Sequence, residues 1–122
     1  LHNDGTYDPS QPLQAWELAR TDGVQTGMTG AACDALARGY IAQQGYGDRF
    51  GHGLGHSLGL EIHEEPRFSP ACETVILPGT VVTVEPGIYL ENEFGVRIED
   101  MVWMTPDGPV NLTASPKELI VL

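Results

Sequence analysis

The stretch that decides how this chain folds runs from Phe50 to Pro66 and reads FGHGLGHSLGLEIHEEP. It holds His52, His56 and His63, three of the four histidines in the sequence, with four glycines among them. Because glycine weakens a regular element, its repetition here predicts a backbone pressed close to a neighbouring group. The even spacing of His52 and His56 places both rings on one face of an extended strand. The stretch therefore predicts a glycine-rich strand that presents imidazoles to a site, with His63 arriving from the next segment.

These histidines have two other interpretations. Two histidines four positions apart on a helix are typical of one class of zinc peptidase, but that motif needs a glutamate directly after the first histidine and a helix-forming interior. Gly53-Leu54-Gly55 supplies neither. Alternatively, the imidazoles are only the polar face of a strand. Neutral imidazole is a common metal ligand and general base, which favours a functional role.

The composition describes one small and strongly acidic domain. At 122 residues the chain is long enough to bury a core of its own. Its 17 acidic residues exceed its six lysines and arginines, and the resulting net charge of −11 opposes binding to nucleic acid and to anionic membranes. Cys33 and Cys72 are too few for a disulfide framework. Without a long apolar run, the chain is expected to be soluble and cytoplasmic.

The first part of the chain predicts two helices. Pro12 suits the first turn of a helix that extends to about Thr21. A second, better defined helix can be capped by Thr29 and ended by Gly45. Its apolar residues keep the helical period: Cys33, Leu36, Ala37, Tyr40 and Ile41. These stripes are expected to form core and to carry no chemistry.

From Thr80 onward the pattern changes to strands joined by turns. The first strand, 81–85, is rich in β-branched residues and ends at Pro86, which forces Glu85 into an extended conformation. Further strands are predicted at 87–90, 96–104 and 118–122, with turns at 92–95 and 105–109. Helices followed by an antiparallel meander place the chain in the α+β class.

Two glutamates in these strands are unusual choices, because an unpaired buried carboxylate is costly. The period of two puts Glu85 on the same face as Thr83, and it puts Glu99 on the same face as Arg97. One interpretation pairs either glutamate with Arg97, since buried charges are usually paired. The other brings both carboxylates and an imidazole together on a metal ion. Oxygen ligands mixed with histidine favour Mn, Fe or Co over a closed zinc site.

Three motifs together resemble the metallopeptidases of the pita-bread fold, which include Xaa-Pro dipeptidase, Xaa-Pro aminopeptidase and methionine aminopeptidase. They are His52-Gly53-Leu54-Gly55-His56 with His63-Glu64, then Thr83-Val84-Glu85-Pro86-Gly87, then Gly95-Val96-Arg97-Ile98-Glu99-Asp100. Their order and spacing are similar to those of the family, and the likeness extends from about Leu13 to Leu122. The extra histidine at position 52 resembles the proline-specific members. The resemblance therefore implies a peptidase that hydrolyses Xaa-Pro bonds, as a dipeptidase or an aminopeptidase.

The resemblance also implies a metal centre. His56, Glu85 and Glu99 match three protein ligands of the family's dinuclear site, in which Glu99 would bridge the two metal ions. Two divalent ions are implied, with Mn foremost and Co, Fe or Zn as alternatives. In the family's mechanism a metal-bridging hydroxide attacks the scissile carbonyl, and the residue at Glu85 relays protons. Two cations that lower the pKa of water and polarise a carbonyl suit this chemistry.

The remaining matches concern the substrate, a peptide or dipeptide. His63 matches the imidazole that contacts the substrate carbonyl and stabilises the tetrahedral intermediate. His52 matches a further histidine near the substrate, and Arg97 matches the arginine beside the bridging glutamate. The implied catalytic residues are His52, His63 and Glu85, and the implied substrate-binding residues are His52, His63 and Arg97. The family likeness also leads us to expect a homodimer for the full-length protein.

The family's other two metal ligands, aspartates on an upstream strand pair, have no counterpart here. The aspartates of the first part lie in loop or helix contexts and lack the family's spacing: Asp4, Asp8, Asp22 and Asp34. Residues 1–122 are therefore expected to form the C-terminal half of a pita-bread catalytic domain, two helices followed by a mainly antiparallel sheet, and to be inactive alone. The alternative is a pita-bread domain without metal chemistry, either a peptide-binding scaffold or a creatinase-like hydrolase. The retained carboxylates favour the metallopeptidase, because a relative without metal has no reason to keep them.

Overall fold

The computed structural model of the protein describes residues 23–117. This range holds an α-helix, α1 (Gly30–Gln43), and a short 3-10 helix (Gly47–Arg49). Its strands are β1 (Gly55–Ser57), β2 (Glu64–Phe68), β3 (Val81–Val84), β4 (Gly87–Leu90), β5 (Phe94–Arg97), β6 (Asp100–Thr105) and β7 (Gly108–Asn111). The predicted helix over 12–21 and the predicted strand over 118–122 lie outside the described residues. Within 23–117, no helix has the length and apolar character that crossing a membrane requires.

Helix α1 begins and ends where the sequence predicts. Thr29 caps it, because its Oγ1 accepts a hydrogen bond of 3.1 Å from the backbone N–H of Ala32. Beyond the helix, Gly45 has a φ of +91°, a left-handed conformation that glycine adopts easily. Cys33, Ala37 and Ile41 are buried in the same apolar core as the strands. The predicted core stripe of this helix is therefore confirmed.

Five strands form one antiparallel sheet in the order β2-β1-β3-β6-β7, and β4 and β5 form a separate hairpin. β1 pairs with β3 through Ser57 and Val82, and β3 pairs with β6 over its whole length. Val82 and Val84 on one face of β3 are fully buried, as are Val102 and Met104 of β6. A helix packed with an antiparallel sheet confirms the α+β class.

The single return strand predicted over 96–104 is wrong, because it is two strands in two sheets. β5 pairs with β4 and β6 pairs with β3, so the chain crosses between the sheets at Ile98 and Glu99. A matching break separates β3 from β4 at Pro86, which has no N–H to donate. The two breaks face each other, since the N–H of Ile98 donates to the carbonyl of Pro86 at 3.3 Å. Glu85 and Glu99 therefore both lie beside the gap between the sheets.

The glycine-rich strand is shorter than predicted. Only Gly55–Ser57 is strand, and His52 lies before it in a bend. The carbonyls of Phe50 and His52 and the N–H of Leu54 bond to side chains of α1, and the carbonyl of Leu54 bonds to Glu85 just after β3. The imidazoles are thus held by a loop and a short strand together.

Two strands, β2 and β7, were not predicted from the sequence. Each contains a proline, Pro66 in β2 and Pro109 in β7, and proline weakens a strand signal. Both are edge strands of the five-stranded sheet, where the missing N–H of proline is tolerated. The hairpin turn predicted over 105–109 is confirmed, since Thr105 pairs with Gly108 across it.

The contact between β1 and β3 depends on Gly55. Its backbone lies so close to Thr83 that a methyl group at Gly55 would overlap the carbonyl oxygen of Thr83. On the next residue, the N–H of His56 donates to Oγ1 of Thr83 at 3.1 Å. One residue earlier, the carbonyl of Leu54 accepts a hydrogen bond of 2.7 Å from the N–H of Glu85. These three contacts fix His56 beside Glu85.

Replacing Gly55 with alanine is expected to lower the free energy of unfolding by about 1–3 kcal/mol, the usual cost of overpacking a filled site. Gly39 is the matched control, because it is exposed on α1 and, apart from the backbone of its own helix, no atom lies within 4 Å of the methyl group that alanine would add. Gly39→Ala should raise stability by up to about 1 kcal/mol, since alanine is the better helix former. Urea denaturation measures both effects. A Gly55→Ala variant as stable as the wild type would contradict the close contact.

Candidate metal centre and substrate pocket

The structure brings together the three residues that the family resemblance implies as metal ligands. His56 lies on β1, Glu85 follows β3, and Glu99 precedes β6. One ligand atom from each lies within 4.8 Å of the ligand atoms of the other two. The pairing of β1 with β3 and of β3 with β6 accounts for this convergence. Residues that are far apart in the sequence thus form one cluster of donors.

The imidazole of His56 is oriented as a ligand. Its Nδ1 lies 3.0 Å from the carbonyl oxygen of Ser57, which can only accept, so Nδ1 carries the proton. The lone pair of Nε2 is then available, and this nitrogen lies 3.7 Å from Oε2 of Glu85. Metal-binding histidines commonly donate their other ring nitrogen to a carbonyl, which fixes the tautomer and the ring. The local backbone therefore prepares Nε2 to bind a cation.

Glu85 and Glu99 repel each other. Partial burial raises the pKa of Glu99 above its ordinary value, and the hydrogen bond and the negative charge of Glu85 raise it further. Arg97 and His56 act in the opposite direction but do not reverse the shift. Two carboxylates in this position are stabilised by sharing a proton or a cation. At neutral pH a divalent ion between them would compensate the negative charge of both carboxylates.

The ion pair that the sequence offers as an alternative is also present. Nη2 of Arg97 lies 3.7 Å from Oε2 of Glu99, and the two side chains are 50% and 43% exposed. Exposed pairs of this kind contribute little to stability. One guanidinium also leaves one of the two carboxylate charges uncompensated. Arg97 thus accompanies the cluster without neutralising it.

The donor set fits a divalent transition metal. One imidazole nitrogen and two carboxylates are ligands typical of Mn²⁺, Fe²⁺ and Co²⁺. A closed structural zinc site takes four protein ligands, whereas this cluster offers three among residues 23–117. The residues present therefore fit an open metal site that takes further ligands from elsewhere.

A cavity of about 190 Å³ opens beside the cluster. Its wall includes the side chains of His52, His56, His63, Arg67, Ser69 and Glu85. The ring of His63 packs edge-on against His56, with 4.3 Å between the ring centroids. His63 is exposed, so a molecule in the cavity can reach it. The structure thus gathers the three histidines at the cavity, while Arg97 and Glu99 lie outside its wall.

His52 is held by neighbours on both ring nitrogens. Its Nδ1 donates to the carbonyl of Gly53 at 2.7 Å, and its Nε2 lies 2.6 Å from the hydroxyl of Tyr89. In either protonation state of the ring, both nitrogens are bonded within the protein. The ring also makes edge contacts with Phe50 and Tyr89, at centroid distances of 5.0 and 5.4 Å. His52 therefore offers the cavity an aromatic ring and no free N–H.

Four further residues shape this region, and sequence reasoning assigned no role to them: Asp34, Arg38, Arg67 and Tyr89. The spacing of Asp34 and Arg38, four apart on a helix, is a signal for an ion pair. Tyr89 fills space left by Gly87 and Gly95, where an added methyl group would lie within 2.6 Å of the tyrosine side chain. No pattern in the sequence points to Arg67.

Known proteins resemble this chain in sequence and in structure. The profile of metallopeptidase family M24 matches residues 12–106. An Xaa-Pro dipeptidase of Pyrococcus horikoshii is 48% identical over 108 residues, which cover 88% of this chain and 30% of that protein. The structure of an Xaa-Pro dipeptidase from Bacillus anthracis superposes with a TM-score of 0.90 and 48% identity, over 93% of this chain and 32% of that chain. An X-Pro aminopeptidase from Thermotoga maritima gives a TM-score of 0.88 and 43% identity, over 93% of this chain and 32% of that chain.

These similarities confirm the resemblance drawn from the three motifs, and with it the pita-bread fold. The chain spans about a third of the length of these relatives. The family match nevertheless includes the glycine-rich stretch and both glutamates. The chain therefore belongs to the metallopeptidase family M24.

Proposed function

We propose that this chain is the part of an Xaa-Pro peptidase that supplies the histidine and glutamate ligands of the metal centre and a wall of the substrate pocket. The observation that carries the proposal is the convergence of His56, Glu85 and Glu99 beside a cavity lined by His52 and His63. Relatives named as Xaa-Pro dipeptidases and an X-Pro aminopeptidase support hydrolysis before proline. We further propose that the complete catalytic domain includes an upstream half with two aspartate ligands.

In this proposal His56, Glu85 and Glu99 hold two divalent metal ions in the complete domain. Bound divalent ions lower the pKa of water and polarise a carbonyl oxygen, which is the chemistry that peptide hydrolysis needs. Mn²⁺ is the metal that we expect, with Co²⁺, Fe²⁺ and Zn²⁺ as alternatives. Glu99 is the proposed bridging ligand.

Glu85 and His63 are the proposed groups for proton transfer and charge stabilisation. Glu85 lines the cavity, where we propose that its carboxylate takes a proton from water and passes it to the leaving nitrogen. A positioned acid or base typically contributes about 10²–10⁴-fold to the rate. His63 can donate to the carbonyl oxygen as negative charge develops there.

The cavity wall favours a dipeptide that ends in proline. The nitrogen of an Xaa-Pro bond carries no proton, so recognition must use the carbonyl, the chain ends and the prolyl ring. His52 offers its ring, because both of its nitrogens are bonded within the protein. Arg67 offers a guanidinium that suits a free carboxylate. Its present partner is Glu65 at 3.0 Å, in an exposed pair that rearranges at little cost.

The isolated chain of residues 1–122 is expected to bind Mn²⁺ weakly and to hydrolyse no dipeptide, because the metal centre would lack its aspartate ligands. Titration calorimetry and an Ala-Pro assay measure the two properties. Circular dichroism of the same sample is the control for folding. Robust turnover by this chain without any upstream segment would falsify the half-domain proposal.

In the full-length protein, Glu99→Ala is expected to lower the bound metal and to abolish turnover while the fold is kept. His56→Ala and Glu85→Ala should behave likewise. Arg97→Ala should reduce activity less, by about 10–100-fold, since it acts on a ligand and not on the metal. The matched control is Glu91→Ala, a glutamate exposed in the turn between β4 and β5. Metal analysis of the purified variants is the test, and an unchanged stoichiometry in Glu99→Ala would remove Glu99 from the metal centre.

Substrate choice separates the members of the family. The metal-loaded full-length protein is expected to prefer Ala-Pro over Ala-Pro-amide and over Met-Ala-Ser. Arg67→Ala should raise KM for Ala-Pro about tenfold or more and leave the amide nearly unaffected, because only the dipeptide has a free carboxylate. Arg49→Ala, in the exposed 3-10 helix, is the control. Preference for Met-Ala-Ser would indicate a methionine aminopeptidase, and no cleavage with metal bound would indicate a binding scaffold.

A further inference from the structure

An ion pair on α1 holds the loop that carries His52. Asp34 is 1% exposed, and its carboxylate receives two hydrogen bonds from Arg38, Nε to Oδ2 at 2.6 Å and Nη2 to Oδ1 at 3.0 Å. Arg38 also donates to the carbonyl of Phe50 at 2.9 Å and to the carbonyl of His52 at 2.7 Å. Oδ1 of Asp34 accepts from the N–H of Leu54 at 2.9 Å. Two side chains one helical turn apart therefore bond three backbone positions of the loop.

The same pair reaches the ring of His52 through Phe50. The guanidinium carbon of Arg38 lies 4.3 Å from the centroid of the Phe50 ring. Phe50 in turn packs edge-on against His52, with the two ring planes at 87°. The opposite constraint on His52 is the hydroxyl of Tyr89. Both the backbone and the ring of His52 are therefore fixed from α1.

The ion pair also connects to the metal side of the site. Leu54 accepts from Glu85 on its carbonyl and donates to Asp34 on its N–H. This peptide segment thus joins α1 to the strand end that carries Glu85. One residue thus lies between Asp34 and Glu85, whereas Arg38 bonds the carbonyl of His52 directly.

Stability alone does not account for this arrangement. A buried ion pair contributes little net stability, and apolar residues of similar volume often replace one without loss. What the pair supplies is geometry, because the planar guanidinium offers donors in a fixed fork. Lysine keeps the charge but has a single nitrogen, which cannot reach Asp34 and two loop carbonyls in the same arrangement.

We propose that Asp34 and Arg38 are positioning residues that set His52 against the substrate cavity. The activity arm of the proposal rests on the proposed Xaa-Pro cleavage, whereas the structural arm does not. The pair touches no atom of the metal cluster, so it acts on the substrate through His52. Its loss is therefore expected to change substrate binding with the metal content kept.

The first experiment uses Arg38→Lys in the full-length protein. We expect KM for Ala-Pro to rise and kcat/KM to fall by about 10–100-fold, with metal content unchanged. Arg49→Lys is the matched control and should change neither. Asp34→Asn, which has the same shape without the charge, replaces Arg38→Lys where that variant does not fold. A folded variant with wild-type KM would overturn the proposal.

A double-mutant cycle with His52→Ala separates positioning from a merely structural role. If Arg38 acts through His52, then Arg38→Lys should lower kcat/KM little further once His52 is alanine. Independent structural damage would instead give the product of the two single effects. A full multiplicative loss would therefore overturn the proposal.

A spectroscopic arm needs no activity and no metal. Nitrogen-15 correlation spectra of the histidine rings in the metal-free protein report the bonded state of each nitrogen of His52. We expect Arg38→Lys to shift both His52 nitrogens and to leave those of His63 in place, while Arg49→Lys moves neither. Unchanged His52 signals would overturn the positioning role. Shifted signals in a protein that cleaves no Xaa-Pro substrate would support positioning and reject the proposed function.

Discussion

The close approach of β1 to β3 at Gly55 and Thr83 is the constraint on which the site depends. Without a side chain at Gly55, the two backbones meet closely enough for His56 to bond Thr83 and for Leu54 to bond Glu85. The imidazole and the carboxylate are then adjacent before any cation is bound. The glycine therefore contributes shape to the candidate metal centre and no chemistry of its own.

The pairing of the strands also brings the carboxylates of Glu85 and Glu99 together, which is unfavourable when both are ionised. The fold holds Glu99 where partial burial, the hydrogen bond from Glu85 and the negative charge of Glu85 together raise the pKa of Glu99. A raised pKa of a carboxyl group in the folded state favours folding at low pH, and this contribution is lost as the pH rises through that pKa. At neutral pH the ionised form of Glu99 is thus disfavoured in the folded protein, and a divalent cation bound to both carboxylates would offset this. Such a cluster is easier to explain as a binding site than as part of the framework.

Local signals in the sequence predicted some elements well. Helix α1 has a cap at Thr29, a regular apolar period and a glycine at its end, and each of these acts within a few residues. The end of β3 could be predicted because Pro86 breaks the ladder locally. The convergence of His56, Glu85 and Glu99 followed from family motifs, since spacing alone left an ion pair with Arg97 as an alternative.

The features that could not be predicted depend on contacts between distant residues. The split at Ile98 and Glu99 has no turn residue to mark it, because it arises where the chain leaves one sheet for another. The edge strands β2 and β7 were not predicted because each contains a proline. A strand can accept proline only at certain places in a sheet, such as an edge, and the sequence does not show where a strand lies. Likewise, the spacing of Asp34 and Arg38 suggests an ordinary helical pair, and the loop carbonyls that Arg38 reaches are invisible in the sequence.

Two different parts of the fold hold the candidate site: paired strands on one side and helix α1 on the other. The metal side is set by strand pairing, since all three candidate ligands lie on or beside β1, β3 and β6. The loop of His52, on the proposed substrate side, is held by a helix through the ion pair of Asp34 and Arg38. Under the proposed function, changes to the helix would alter what the pocket accepts while the strands keep the candidate ligands together. Leu54 is the point where the two supports meet, because one peptide segment bonds to Asp34 on one side and to Glu85 on the other. A substitution that shifts this segment should therefore disturb both sides at once, whereas one at Arg38 should act first on His52, whose carbonyl Arg38 bonds directly.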